Sequence, residues 1–136
     1  MNSGTAATRS KSRVSLLSRL WKIAGRFIEF NFVCLRRKDV YLRRLGASIG
    51  KNCQLITPVG NFGSEPYLVK IGNNVTVTTG VLFITHDAST RLFRNQYADM
   101  NAYGNYFGPV IIGDNCFIGV NTILLPGTQI GPNSIV

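Results

Sequence analysis

From Ile112 onward an aliphatic side chain recurs at every sixth position: Ile112, Ile118, Leu124, Ile130 and Val136. A helix returns its apolar face every three or four residues and a half-buried strand every two, so neither accounts for a period of six. The blocks IGDNCF, IGVNTI, LLPGTQ and IGPNSI mostly place glycine after the aliphatic and Asn or Gly at the fourth position. A small residue fills the fifth: Cys116, Thr122, Thr128 and Ser134. Gly and Asn tolerate the left-handed backbone that a tight corner demands. The unit therefore reads as one side and one corner of a coil. With three units to a triangular turn, Ile112 falls under Ile130 and Ile118 under Val136, and every turn adds a rung to three parallel sheets.

The same register recurs upstream. Ile71, Val77 and Phe83 head IGNNVT, VTTGVL and FITHDA, and Ile49 heads IGKNCQ with Leu55 six residues later. The step from Leu55 to Ile71 is 16 residues, four more than two units, and that from Phe83 to Ile112 is 29, one unit plus 23. The second gap predicts an excursion over about residues 88–108 that leaves the coil and returns at Pro109, and segments of this length are usually functional or disordered. Phe93, Tyr97, Tyr103, Tyr106 and Phe107 argue against disorder, because they can pack the excursion onto a surface of this chain or of a neighbour. Independent hairpins are the competing arrangement, but no two-residue primed turn joins the blocks.

Charge divides the chain where the repeats begin. Residues 1–44 hold 11 of the 15 Lys and Arg and only two acids, Glu29 and Asp39, a net of +9 that equals the charge of the whole chain. From Leu45 on, Lys51, Lys70, Arg91 and Arg94 balance Glu65, Asp87, Asp99 and Asp114. Residues 1–13 read as a disordered basic tail. Residues 14–44 read as an amphipathic helical segment, with Leu16, Leu17, Leu20, Trp21, Ile23, Phe27 and Ile28 beside Arg19, Lys22 and Arg26. Such a helix can lie on an anionic bilayer, or it can dock on the coil or on another subunit with its arginines solvated. Charges break every stretch that might span a membrane, and no uninterrupted apolar core with a cleavage site marks a signal peptide. Nucleic-acid binding is disfavoured, since no finger, recognition-helix or RNA-platform motif accompanies the basic charge. Cys34, Cys53 and Cys116 are too scattered for a metal site or a disulfide framework. They fit a reducing cytosol, with the basic helix as a peripheral contact at the inner face of the membrane.

The single histidine, His86, stands in FITHD at the mouth of the excursion. Scaffolds present reactive groups where regular structure gives way to a loop. A neutral imidazole accepts a proton near pH 7, and Asp87 or a backbone carbonyl can fix its tautomer, Asp87 being preferred. No nucleophile constellation accompanies it, which favours direct transfer between two bound substrates over a covalent intermediate.

Together the hexads, the THD after the Phe83 unit, the excursion and the re-entry FGPVIIGDNCFIGVNTILLPGTQIG resemble the hexapeptide-repeat acyltransferases. The most similar branch is that of the xenobiotic, maltose and galactoside acetyltransferases and the O-acetyltransferases of capsule and exopolysaccharide synthesis. The resemblance covers about residues 45–136 and implies an all-β fold, a left-handed parallel β-helix, here preceded by the amphipathic helix. The handedness comes from the resemblance alone, since parallel crossovers are ordinarily right-handed. Carbonic anhydrase relatives share the coil but need several metal-binding histidines, so no metal is expected.

The resemblance further implies a homotrimer with active sites between subunits and acetyl-CoA in the groove between coils. His86 would be the general base toward a hydroxylated, sugar-like acceptor, with Asp87 beside it and a backbone amide at the oxyanion. Gly119 and Val120 map onto contacts to the thioester arm, and Phe117 stands where many relatives have tryptophan. Asn61 and Arg94 are the candidate acceptor contacts. Relatives continue through further coils, whereas this chain stops at Val136, so a fragment or an impaired activity is expected. The alternative function is a catalytically silent scaffold at a membrane surface.

Overall fold

The computed structural model describes residues 37–94 and 96–136. The helix expected at 14–35 and the tail before it lie outside the described residues. Lys38–Val136 form one compact unit.

The unit begins with α1 (Lys38–Arg44), which carries Asp39 in its first turn and Arg43 and Arg44 in its last. That order complements the helix dipole. Gly46, at φ +95°, ends the helix. Ala47 N–H donates to Leu42 O at 3.0 Å and Gly46 N–H to Arg43 O at 3.0 Å, the paired bonds of a Schellman cap. Leu42 and Ala47, the apolar pair that accompanies such a cap, are both buried.

Beyond α1 the chain winds as a parallel coil. Strands β1 (Ser48–Ile49), β3 (Val69–Ile71), β8 (Val110–Ile112) and β11 (Gln129–Ile130) stack in one sheet in the order β1-β3-β8-β11. A second sheet joins β2 (Gln54–Leu55), β4 (Thr76–Val77) and β9 (Phe117–Ile118), and a third joins β5 (Leu82–Phe83) to β10 (Ile123–Leu124). All these pairings are parallel and in hexad register: Ile49, Ile71, Ile112 and Ile130 form one ladder, Leu55, Val77 and Ile118 a second, and Phe83 and Leu124 a third. Phe117 bridges Ile135, which sets Ile118 over Val136 as the period requires. The apolar side chains at hexad heads Ile71, Val77, Phe83, Ile112, Ile118 and Leu124 are buried and make up much of the core.

The corners explain the fourth position. Asn52, Asn74, Asn115, Asn121 and Asn133 have φ between 56° and 60°, and Gly80 and Gly127 take the same place at 75° and 86°. At the corner after the first sheet the side chains also stack. Asn74 Nδ2 donates to Asn115 Oδ1 at 2.9 Å and Asn115 Nδ2 to Asn133 Oδ1 at 3.2 Å. Asp114 Oδ1 accepts the Asn73 N–H at 2.6 Å, and Asn73 Oδ1 accepts the Lys51 N–H at 2.9 Å. Corner groups that lack a strand partner are satisfied one coil away.

α1 meets the first coil, where β1 is an edge strand. Arg43 donates through Nε to Ile49 O at 3.0 Å and through a terminal nitrogen to Gly50 O at 2.9 Å. Lys38 Nζ donates to Ile56 O at 2.7 Å and Thr57 O at 2.9 Å. An open sheet edge is thereby covered. Two of the bases counted with the N-terminal charge thus serve the coil's own carbonyls.

Two segments depart from the hexads. The four extra residues before Ile71 belong to a stretch with 3-10 turns at Val59–Asn61 and Pro66–Leu68, which replaces the third side of the first turn. Its Phe62 is fully buried and stacks under Phe83, ring centroids 4.7 Å apart at 16°. The excursion after Phe83 leaves through β6 (His86–Asp87) and returns through β7 (Tyr106–Phe107), which pair antiparallel. Between them lie α2 (Arg91–Arg94) and a 3-10 turn at Ala98–Ala102. The five aromatics expected to pack this segment stay largely exposed within the chain, so they do not hold it against the coil. Polar contacts brace the segment internally: Thr90 Oγ1 to Gly104 O at 3.2 Å, and Arg94 to Asn105 Oδ1 and to Thr90 Oγ1.

Candidate active site

Both departures meet at one place. Gly63, at φ +75°, lets the chain run against the coil, where an added Cβ would lie 2.9 Å from Thr85 Cγ2 and 3.1 Å from Phe83 O. Two residues on, Glu65 precedes the Pro66–Leu68 turn and makes no capping bond there. Its side chain reaches the following coil instead. Glu65 Oε2 accepts the Thr85 hydroxyl at 2.6 Å and lies 3.0 Å from His86 Nδ1. Thr85 is buried, the Glu65 side chain is 15% exposed and that of His86 is 36% exposed, so the pair is shielded on the carboxylate side and open on the imidazole side.

The Thr85 hydroxyl and, after it, His86 hold the Glu65 carboxyl below the usual carboxylate range, against the opposite pull of burial. An ionised carboxylate only accepts hydrogen bonds, so the contact requires a proton on His86 Nδ1. In the neutral ring Nε2 then carries the lone pair. The arrangement fixes the tautomer a general base needs and leaves the basic nitrogen on the side away from Glu65.

Asp87 does not take the orienting position. Successive residues of a strand face opposite ways, and the Asp87 carboxylate accepts the Ser89 N–H at 2.7 Å in a local turn. That bond lowers its pKa. The partner of His86 is a carboxylate 21 residues upstream. The cross-strand neighbour of His86 is Phe107, whose ring centroid lies 5.6 Å away at a tilt of 38°.

The remaining sequence candidates lie apart from this group. Asn61 Nδ2 donates to Thr57 Oγ1 at 2.9 Å and Val81 O at 3.2 Å, so the amide nitrogen braces the coil beneath β5. Arg94 binds within the excursion, and its Nε is buried without a hydrogen-bond partner among the described residues. Phe117 and Val120 are exposed. Gly119 donates its N–H to Val136 O at 2.6 Å and accepts Thr122 Oγ1 at 2.8 Å. Phe117, Gly119 and Val120 belong to the corner between β9 and β10, whereas His86 follows β5 at the next corner, across the third face of the coil. Sequence reading singled out the histidine, passed over Glu65 and Thr85 as its neighbours, and noted Phe107 only as an aromatic that could pack the excursion. The available signal for Glu65 was its being the one acid in the non-hexad stretch before Ile71.

Residues 109–136 match the family described as the hexapeptide repeat of succinyl-transferase. Over these repeats the chain is similar to hexapeptide-repeat transferases. Protein CapG of Staphylococcus aureus is 45% identical to it over 87 residues, 63% of this chain and 48% of that protein. The galactoside O-acetyltransferase of Escherichia coli (strain K12) is 26% identical over 122 residues, 75% of this chain and 57% of that enzyme. The chain spans about half the length of these curated relatives. For a hexapeptide-repeat chain the matched segment is the regular part, β8 to the last residue, and the histidine group lies just before it.

Proposed function

We propose that this chain carries the general base of an acetyl-CoA-dependent O-acetyltransferase acting on a hydroxyl of a sugar or polysaccharide precursor. The carrying observation is the His86 imidazole held through Nδ1 by a shielded, ionised Glu65, with Nε2 free at the mouth of the excursion. The similarity to a galactoside O-acetyltransferase supports acetyl transfer to a sugar hydroxyl, and the similarity to CapG is consistent with it.

In the proposed step Nε2 takes the proton of the acceptor hydroxyl as its oxygen bonds to the acetyl carbonyl carbon. The carbon–sulfur bond then breaks, and the imidazolium returns that proton to the departing thiolate of CoA, leaving an ester and a free thiol. Glu65 stabilises the transient imidazolium and keeps the ring in place, so no covalent enzyme intermediate is needed. The apolar surfaces of Phe117 and Val120, with Gly119 between them, suit the thioester arm.

These residues lie a face away from His86 in one chain. A homotrimer of left-handed coils, in which one protomer's His86 meets another protomer's β9–β10 corner, accounts for both sets of residues. The reading also places the protein in the cytoplasm, with residues 14–44 at the inner face of the membrane.

Replacing His86 with Ala tests the base. Acetyl transfer from acetyl-CoA to methyl galactoside should fall roughly 10²- to 10⁴-fold while the unfolding midpoint and CoA binding stay unchanged. Transfer that persists in His86→Ala would assign the chemistry elsewhere, and a wild-type chain that binds CoA without transfer would favour a scaffold.

A further inference from the structure

The Phe107 ring stands beside the proposed base with half its surface uncovered. His86 and Phe107 are directly paired across the antiparallel ribbon, so both side chains leave from one face, while Asp87 and Tyr106 leave from the other. Phe107 is 51% exposed, and its ring packs against that of His86. The backbone that carries it is fixed on both sides. Gly108 is buried and donates its N–H to Thr85 O at 3.1 Å, and a Cβ there would sit 2.5 Å from Gly127 N. Gly127 in turn donates to Pro109 O at 3.1 Å, and a Cβ on Gly127 would meet the Tyr106 hydroxyl at 2.9 Å.

A large apolar ring held on an immobilised backbone and left open to solvent is a preorganised contact surface, since little ordering cost remains when a ligand covers it. Phenylalanine has no donor or acceptor, so it cannot read hydroxyls. What it can take is a flat apolar face. With Nδ1 committed to Glu65, a group that delivers its hydroxyl to Nε2 must approach the exposed part of the imidazole, and the Phe107 ring is the aromatic surface packed beside that imidazole on the same face of the ribbon.

We infer that Phe107 is the stacking platform for the acceptor, and that the acceptor is a pyranose whose C–H face lies on this ring while a hydroxyl at the edge of that face reaches His86 Nε2. The inference rests on the acyl-transfer reading above and adds the residue that receives the acceptor's ring. Selection is by ring shape and by which face carries axial hydrogens, with the hydroxyl pattern read elsewhere.

The test combines binding and kinetics on the whole chain with methyl pyranosides of galactose, glucose, mannose and N-acetylglucosamine. Saturation-transfer NMR, irradiating aromatic protons, should saturate ring C–H protons of at least one sugar in the wild type. The effect should be lost in Phe107→Ala and kept in Phe107→Tyr. In the acetyl-transfer assay Phe107→Ala should raise the KM for that sugar about tenfold, the loss of one aromatic contact. The KM for acetyl-CoA and the slow hydrolysis of acetyl-CoA by water should stay within about twofold.

No saturation of any sugar in the wild type would overturn the inference even if transfer is observed. So would an equal fall of hydrolysis and transfer in Phe107→Ala, which would make the ring a support for His86, or a changed oligomeric mass, which would make it an interface. Sugar binding that depends on Phe107 in a chain that transfers no acetyl would sustain the platform and sink the acyl-transfer reading.

Discussion

The corner after the first sheet and the corner after Phe83 are made by the same coil and used differently. At the first, Asn52, Asn74, Asn115 and Asn133 repeat one backbone conformation, and each turn's side chains satisfy groups of its neighbour. At the second, the hexad is abandoned. The stretch before Ile71 and the excursion after Phe83 bring Glu65, Thr85, His86 and Phe107 together. The first corner spends polar side chains on one another and on backbone groups one coil away. The second leaves an imidazole nitrogen open, and its geometry is held by the regular ladders on either side.

Four measurements would break or sharpen that contrast. The largest effect on stability should come from Phe62→Ala, which empties the space beneath Phe83 under the site. It should cost about 3–5 kcal/mol in denaturant unfolding, and a smaller loss would mean the non-hexad stretch is merely draped on the coil. Next, Gly72→Val attacks the regular corner, because a Cβ there would lie 2.8 Å from the backbone of Gly113 and Asp114. A cost of about 1–3 kcal/mol is expected by thermal unfolding, with acetyl transfer by the folded fraction unchanged.

Asn115 separates two contributions at that corner. Asn115→Ala should lose about 1–2 kcal/mol from the left-handed backbone, whereas Asn115→Gly keeps the backbone and loses only the side-chain ladder. If the two variants are equally destabilised, the ladder and not the conformation carries the corner.

The smallest effect on stability, and the most specific to the second corner, belongs to Glu65→Gln. The folded-state pKa of Glu65 is depressed, so its contribution is present above the unfolded value near 4.5 and is lost as pH falls through the folded pKa. Wild type minus Glu65→Gln stability should therefore shrink on acidification below about pH 4.5. A difference that is flat from neutral to strongly acid pH would remove the ionised carboxylate from the site. Transfer should also weaken, because the neutral amide no longer compels the proton onto Nδ1.

The ladders and corners were legible because each hexad position repeats one local requirement: an aliphatic inward at Ile71 and Ile112, a left-handed residue at Asn74 and Asn115. Periodicity makes tertiary neighbours readable, since the residue one coil away is a fixed distance along the chain. His86 was legible as the single histidine at a break in that period. Its partner was not, for the same reason inverted: Glu65 and His86 meet across two segments that have no period, so spacing says nothing about their approach. Asp87 was adjacent in sequence and on the wrong side of the strand. Asn61 and Arg94 drew notice as polar residues near the breaks, and Asn61 Nδ2 and one terminal nitrogen of Arg94 bond to neighbouring parts of the chain. The basic charge was legible only as a total, and Lys38 and Arg43 show that part of it serves the carbonyls of the first coil.

The two-residue ribbon at the mouth of the excursion has a consequence for how such a protein can diversify. His86–Asp87 and Tyr106–Phe107 bring the outgoing and returning chains side by side, and Gly108 N–H to Thr85 O closes the stem. Everything between Ala88 and Asn105 is therefore a cassette clipped to the coil at a single closed joint. Its length and composition can drift, or be exchanged for another loop, without altering the pitch of the coil or the position of His86 at its root. On the proposed function, new acceptors would become accessible by rewriting one loop while the rest of the molecule stands still.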